Sequence, residues 1–156
     1  MPHIHEQIDF TVEVFIVHAN KVLLRKHDKY GIWLSIGGHI ELDEDPVEAA
    51  LREVKEEVGL TASLVGTPPP HFKERKGYKE LMSPRYITRH PIGDAGHEHV
   101  VFSYFATSDS DMVVPEKETD EWRWFTKEEL QAEGETLGIG EDIMFYASTA
   151  LDELST

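Results

Sequence analysis

Apolar and polar residues alternate near the start of the chain, and this period of two is typical of a β-strand. Along residues 10–18, four apolar side chains fall on one face: Phe10, Val12, Val14 and Ile16. The opposite face is only half polar, as in a strand that is covered on both sides. A turn-like segment then leads to a second β-type run at 21–27, so the pattern predicts a β-hairpin.

The best-defined helix predicted from the sequence begins at Asp45, which suits the N-cap position. Pro46 suits the first helical position, and Glu48 can complete a capping box with Asp45. Gly59 is a natural end for the helix. A stripe at helical spacing can face a core, and its members are Val47, Ala50, Leu51, Val54 and Val58.

The rest of the chain mixes strand and helix patterns. Strands are predicted at 61–67, 85–92, 99–107 and 120–126, and helices from Thr126 and over 140–154. Segments 28–41 and 68–85 are predicted to be loops, the first with a short apolar centre. Since no internal repeat or long linker divides the chain, we expect one α/β domain over residues 1–156.

Composition narrows the classes of function. A chain of 156 residues with 40% hydrophobic residues can bury a sizeable core, but its formal charge of −15 argues against a basic nucleic-acid-binding surface. The absence of cysteine excludes disulfides and thiolate metal sites. The first ten residues lack a signal-peptide pattern, and no apolar stretch could span a membrane. We therefore expect a cytoplasmic protein.

Three acidic residues crowd one face of the predicted helix: Glu53, Glu56 and Glu57. Carboxylates at this spacing can converge on Mg²⁺ or Mn²⁺, which prefer oxygen ligands. The alternative is a solvated acidic face, because like charges one turn apart destabilise an exposed helix by only about 0.2–0.5 kcal/mol. The preceding glycines, Gly37 and Gly38, favour a binding site since they let the backbone approach a ligand closely.

The segment 38–60 resembles the Nudix box. Every fixed position of that motif is filled at the required spacing, by Gly38, Glu44, Arg52, Glu53, Val54, Glu56, Glu57, Gly59 and Leu60. The strands before the segment and residues 120–130 after it are more loosely similar to the family's layout. One departure is Ile36, which stands where many members have proline. This difference affects the stiffness of the loop, and it changes none of the motif's acidic residues.

The resemblance implies a Nudix-type α/β/α sandwich with a central mixed β-sheet. It also implies a Mg²⁺- or Mn²⁺-dependent enzyme that hydrolyses the diphosphate linkage of a nucleoside diphosphate joined to another group. By this resemblance the metal ligands are Glu53, Glu56 and Glu57, and the backbone carbonyl of Gly37 is a further candidate. Arg52 and Glu44 resemble the family's structural ion pair, for which the alternative is a surface salt bridge of about 0–1 kcal/mol.

The general base is left open by the sequence. Glu53 is the usual candidate within the motif, and Glu98 is the first candidate outside it, followed by Glu118 and Glu121. For each of these last three, the alternative is an ordinary surface acid.

Other signals stay ambiguous. His97 and His99 would share a face of a strand and could bind a transition metal, but two histidines without a recognisable third ligand are weak evidence and favour a polar strand end. Six basic residues could hold a distal phosphate or balance neighbouring acids: Lys73, Arg75, Lys76, Lys79, Arg85 and Arg89. Three tryptophans could stack a base or fill the core: Trp33, Trp122 and Trp124.

Two rival functions share the predicted fold, namely a nucleotide-sensing module without catalysis and a diphosphate isomerase. The complete glutamate set disfavours the first, and the missing cysteine disfavours the second. The expected substrate is a small-molecule nucleoside diphosphate derivative rather than a nucleic-acid polymer. The sequence leaves the oligomeric state open, a homodimer included.

Overall fold

The computed structural model of the protein describes residues 4–69, 74–93 and 96–156. The strands are β1 (Ile8–His18), β2 (Lys21–Lys26), β3 (Trp33–Leu34), β4 (Ile36–His39), β5 (Ala62–Val65), β6 (Glu74–Arg75), β7 (Tyr78–Lys79), β8 (Tyr86–Ile92), β9 (His97–Ser108) and β10 (Glu121–Phe125). The helices are α1 (Pro46–Val58), α2 (Lys127–Leu137) and α3 (Glu141–Leu154). Within these ranges, no helix is long and apolar enough to cross a membrane.

A mixed sheet forms the centre of the described structure. Eight strands join it, with the path β10-β2-β1-β9-β5; β3 pairs with β2, β4 with β1 and β8 with β9. The central strands β1 and β9 run parallel, from Ile8 opposite Glu98 to Val17 opposite Thr107, and the other pairings are antiparallel. The short strands β6 and β7 form a separate hairpin.

Helices cover both faces of this sheet. On one face α1 packs over Val12, Val14 and Ile16 of β1, and its own buried apolar residues are Ala49, Ala50, Val54 and Val58. On the other face Phe15 and Val17 pack against residues of α2 and α3 such as Leu130 and Ile143. The predicted α/β/α sandwich with a mixed sheet is therefore confirmed, and β1 is covered on both sides as its sequence indicated.

Several local predictions are also confirmed. β1 and β2 form an antiparallel hairpin that closes with Val17 opposite Val22. Its turn residues Ala19 and Asn20 have φ of 47° and 61°, as a two-residue turn between twisted strands requires. Asp45 caps α1 and exchanges capping-box hydrogen bonds with Glu48.

The predicted apolar stripe of α1 is wrong at one position. Leu51 is 40% exposed, whereas Ala49, Glu53 and Glu57 are buried beside Ala50 and Val54. The helix thus turns two of its carboxylates towards the sheet, and this orientation carries Leu51 outward. Hydrophobic periodicity could not show it, because the residues that replace Leu51 at the buried surface are charged.

Both segments predicted to be loops contain strands. Segment 28–41 includes β3 and β4, and β4 pairs with β1 through Gly38 opposite Val12. Segment 68–85 includes the β6–β7 hairpin, although residues 70–73 lie outside the described part of the chain. Glycine is disfavoured in strands, so β4 depends on pairing with distant residues rather than on its own sequence.

The contact between β4 and β1 requires a residue without a side chain at Gly37. A Cβ atom on Gly37 would lie 2.1 Å from the carbonyl oxygen of Val12, which belongs to the backbone of the neighbouring strand. Since neither backbone can move without opening the sheet, this position excludes every side chain.

We therefore expect Gly37→Ala to lower the free energy of unfolding by about 1–3 kcal/mol, the range for overpacking a tight site. Urea denaturation followed by circular dichroism measures this change. Gly66→Ala is the matched control, because a Cβ there would meet its nearest atom, the sulfur of Met82, at an ordinary 3.5 Å. Equal stability of the two variants would contradict the interpretation.

Candidate active site

The glutamates of α1 lie against the glycine strand β4. Glu53 and Glu57 are buried, at 6% and 7% exposure, whereas the side chain of Glu56 is 53% exposed at the rim. A Cβ on Gly38 would lie 2.3 Å from Oε1 of Glu53, so this glycine leaves the space that the carboxylate fills. The two adjacent glycines thus have different neighbours, a strand at Gly37 and a carboxylate at Gly38.

Arg52 connects the loop before α1 to the helix and to β4. Its Nε donates to Oε2 of Glu44 at 2.9 Å, and its Nη2 donates to Oε1 of Glu44 at 2.5 Å and to the carbonyl of His39 at 2.9 Å. The Arg52 guanidinium holds the pKa of Glu44 below its usual value. The two residues expected to pair are therefore in bidentate contact.

The same arginine also contacts two of the clustered glutamates. Nη1 of Arg52 donates to Oε1 of Glu53 at 2.9 Å and to Oε2 of Glu56 at 3.1 Å. Because the fork of a guanidinium is rigid, its bonds to Glu44 fix the direction of the donors that reach the other two carboxylates. Arg52 therefore positions the acidic cluster as well as the loop.

Glu57 is held by groups on two strands. The backbone N–H of Gly37 donates to its Oε1 at 3.3 Å, and Nη1 of Arg25 lies 3.4 Å from its Oε2. Nη2 of Arg25 is also 3.9 Å from Oδ1 of Asp120, a side chain only 1% exposed. The sequence analysis missed Arg25 and Asp120. The one available signal for Arg25 was that a basic residue directly follows a run of apolar residues in β2.

Glu53 and Glu57 form a buried carboxyl pair, joined by a hydrogen bond between their side chains. The pKa of Glu57 is raised to about 8, mainly by burial; Arg25 acts in the opposite direction, and the charge of Glu53 acts in the same direction as burial. Burial also raises the pKa of Glu53. Two buried carboxylates in contact cannot both be ionised without a large electrostatic cost, so the pair retains a proton at neutral pH.

The donor set of this cluster fits a hard divalent cation. Its side-chain ligands are all carboxylate oxygens, which Mg²⁺ and Mn²⁺ prefer. Four carboxylates contact two arginines here: Glu44, Glu53, Glu56 and Glu57 against Arg25 and Arg52. Even with one shared proton the cluster keeps surplus negative charge, which a bound cation would neutralise.

Glu98 lies at the start of β9, opposite Ile8 of β1. Its two carboxylate oxygens accept from Arg89 at 2.6 and 2.7 Å, and this ion pair lowers the pKa of Glu98. Among the contacts of the described residues, none joins Glu98 to the glutamates of α1. Glu121 faces Lys26 at 3.4 Å, and Glu118 is exposed.

The basic residues between 73 and 89 do not share one partner. Three of them face an acidic side chain: Lys79 at 3.7 Å from Asp45, Arg85 at 2.7 Å from Glu153 and Arg89 at 2.6 Å from Glu98. Arg75 lies over the ring of Tyr78, and Lys73 falls outside the described residues. For these three paired cations, the structure supports the interpretation that they balance neighbouring acids.

The three tryptophans lie in different surroundings. Trp33 is buried, with its ring edge-to-face against Phe125 at 5.6 Å between centroids. The indole N–H of Trp124 donates to the carbonyl of Asp111 at 3.2 Å. Trp122 is 36% exposed and is the one of the three that offers a face to a ligand.

Comparison with known proteins agrees with this fold. Residues 9–142 match the NUDIX domain. The crystal structure of a NUDIX-family hydrolase from Clostridium perfringens is 38% identical, with a TM-score of 0.83 over 94% of this chain and 98% of that one. The fold and the glutamate-bearing helix define a NUDIX protein, and the chain belongs to the NUDIX family.

Curated relatives share shorter stretches with the chain. The m7GpppN-mRNA hydrolase NUDT17 of Danio rerio is 40% identical over 100 residues, which is 60% of this chain and 31% of the relative. The CTP pyrophosphohydrolase of Escherichia coli (strain K12) is 33% identical over 70 residues, which is 42% of this chain and 52% of the relative. The matches thus span between about a third and a half of these two relatives.

The raised pKa of Glu57 predicts a pH dependence of stability in the metal-free protein. The folded-state pKa of about 8 exceeds the ordinary value of 4.5, so the folded protein binds this proton more tightly than the unfolded chain does. The stabilisation is fully present below pH 4.5 and is lost as the pH rises through 8. His99, whose pKa falls from 6.5 to about 4, contributes in the opposite direction only below pH 6.5.

We therefore expect wild-type protein in EDTA to lose more unfolding free energy between about pH 7 and about pH 9 than Glu57→Gln loses. The glutamine keeps a neutral hydrogen-bonding group at that position and cannot titrate. Urea denaturation at both pH values measures the two differences. Parallel losses in the two proteins would show that Glu57 does not titrate in this range.

Proposed function

We propose that the protein is a divalent-cation-dependent hydrolase that cleaves the diphosphate linkage of a nucleoside diphosphate joined to another group. The observation that carries this proposal is the buried Glu53–Glu57 pair, which Arg52 and Arg25 hold in place on α1. An acidic surface repels a diphosphate. These carboxylates can therefore bind a diphosphate substrate only with a cation between them. Membership of the NUDIX family supports this assignment.

Mg²⁺ or Mn²⁺ is the proposed cofactor, held by Glu53, Glu56 and Glu57, with the carbonyl of Gly37 as a further candidate ligand. When bound, such an ion would neutralise charge on the phosphoryl oxygens and lower the pKa of bound water. The buried pair would release its proton on binding, and half-exposed Glu56 can leave Arg52 without disturbing a packed core. Arg52 and Glu44 are proposed as positioning residues.

Glu53 is the proposed general base. Burial raises its pKa in the absence of a cation, and a carboxylate oxygen not bound to the cation would be the one to accept a proton from water. Arg52 donates to its Oε1 and so fixes the orientation of the carboxylate. Glu98 remains the second candidate, but its ion pair with Arg89 lowers its pKa and makes it the weaker base in this conformation.

The proposed substrate is a small nucleotide derivative rather than a nucleic-acid polymer. A formal charge of −15 would repel a long polyanion, whereas a single diphosphate requires only local neutralisation by a bound cation. The names of the two curated relatives, a CTP pyrophosphohydrolase and an m7GpppN-mRNA hydrolase, both describe hydrolysis of compounds with linked phosphates. The first names a small nucleotide and the second an mRNA, so it is the net charge of this chain that favours the small substrate.

One experiment separates the hydrolase from the rival functions on the same fold. The protein is incubated with Mg²⁺ and a panel of nucleoside diphosphate derivatives, and the products are identified by mass spectrometry. A hydrolase adds one water across the diphosphate and yields two products. A sensor binds without turnover, and an isomerase leaves the mass unchanged; either result would overturn the proposal.

On the substrate found in this way, Glu57→Gln should lower kcat/KM by at least about 10²-fold, because the loss of a cation ligand removes transition-state stabilisation. Circular dichroism should show an unchanged fold. Glu128→Gln is the matched control, since Glu128 is an exposed acid in the first turn of α2. Near-wild-type turnover of Glu57→Gln at saturating Mg²⁺ would remove Glu57 from the proposed ligand set.

A further inference from the structure

A second polar cluster lies at the start of β1, where histidines from β4 and β9 surround a buried carboxylate. Asp9 is fully buried, and its Oδ2 lies 3.2 Å from Nε2 of His39 and 3.3 Å from Nε2 of His97. Ligand atoms of Asp9, His39 and His99 all lie within 4.8 Å of one another. Asp9 and His39 are the partners that the sequence analysis lacked for His97 and His99.

The chemistry of this cluster differs from that of the glutamates on α1. Three imidazoles and one carboxylate form a nitrogen-rich set, which suits Zn²⁺ and neighbouring transition metals far better than Mg²⁺. Burial, together with the neighbouring histidines, lowers the pKa of His99 to about 4, so its ring is uncharged at neutral pH. A neutral imidazole is the form that binds a metal.

Hydrogen bonds to the backbone set the orientation of two of these side chains. Nδ1 of His97 lies 3.0 Å from the carbonyl of Glu6; a carbonyl only accepts, so Nδ1 carries the hydrogen. Nε2, on the other side of the ring, lies 3.3 Å from Oδ2 of Asp9. Oδ1 of Asp9 accepts the amide of His5 at 2.7 Å, and Oδ2 accepts the amide of Ile4 at 3.2 Å while it also faces the histidines.

Nε2 of His97 and the Asp9 carboxylate oxygen are close enough to share one cation. A second proton on His97 would supply that cation, and so would a metal ion. A metal-binding histidine whose other ring nitrogen donates to a backbone carbonyl is the usual arrangement around protein metals. His97 has this arrangement, and the nearby ligand atoms of His39 and His99 favour the metal over the proton.

The cluster is separate from the glutamate site. Side chains alternate along β1, so Asp9 shares a face with Phe15, which packs against α3, whereas Val12 and Val14 face α1. β4 connects the two sites through one residue. The ring of His39 reaches Asp9, while its carbonyl accepts from Arg52 at 2.9 Å.

We propose that Asp9, His39, His97 and His99 form a structural site for a transition-metal ion of the Zn²⁺ class. The ion would tie β1, β4 and β9 together at this end of the sheet. It would also fix the backbone of His39 and, through it, the direction of Arg52. The proposal does not depend on the chemistry assigned to the glutamates.

Isothermal titration of the EDTA-treated, dialysed full chain with Zn²⁺, in a large excess of Mg²⁺, tests the site. We expect one equivalent of Zn²⁺ to bind, and His39→Gln and His99→Gln each to weaken binding by at least about tenfold. His27→Gln is the control, because His27 is a half-buried histidine outside the cluster. Glu57→Gln should bind Zn²⁺ like wild type, which separates this site from the glutamates.

Co²⁺ can be added to the wild-type protein in place of Zn²⁺. This measurement does not depend on whether the variants fold. Intense visible absorption bands, typical of four-coordinate Co²⁺ with nitrogen ligands, would support the site. Absence of Zn²⁺ binding would overturn the proposal. Equal binding by wild type and both cluster variants, or loss of binding in Glu57→Gln alone, would overturn it as well.

Discussion

The close approach of β4 to both β1 and α1 is the constraint on which the site depends. Gly37 lets the backbone of β4 meet that of Val12, and Gly38 leaves the volume that the carboxylate of Glu53 occupies. With any side chain at these positions the helix would stand away from the sheet, and its carboxylates would be solvated. Burial is what raises the pKa of Glu53 and Glu57, so the electrostatics of the cluster follow from the absence of two side chains.

Burying carboxylates is unfavourable unless cations and hydrogen bonds compensate it, and two arginines do so here. Arg52 contacts Glu44, Glu53 and Glu56 through its three nitrogens, and Arg25 contacts Glu57 from β2. Because these arginines bind the carboxylates, the protein itself holds the carboxylates in a narrow range of positions. Removing one arginine would leave a buried carboxylate without its partner, which is more harmful than removing the pair.

The sequence predicted what depends on local chemistry, the β1–β2 hairpin included, and missed what depends on contacts between residues far apart in the chain. Asp45, Glu48 and Gly59 determine the ends of α1 through hydrogen bonds within a few residues, so their pattern was sufficient. The exposure of Leu51, the strand β4 and the contact of Arg25 with Glu57 depend on which strands lie side by side. The pairing of Asp9 with His99 across parallel strands joins residues 90 positions apart, a separation that no periodicity in a single sequence reveals.

His39 shows how the two faces of β4 can carry different chemistry while sharing one backbone. Its ring belongs to the nitrogen-rich cluster with Asp9, and its carbonyl accepts from the arginine that positions the oxygen-only cluster on α1. β4 has four residues, and two of them are glycines, so it has little side-chain packing of its own to hold it in place. Fixing the side chain of His39 on one face therefore limits the movement of the Arg52 acceptor on the other. By this linkage, an ion that contacts no substrate would still influence the geometry of the carboxylates.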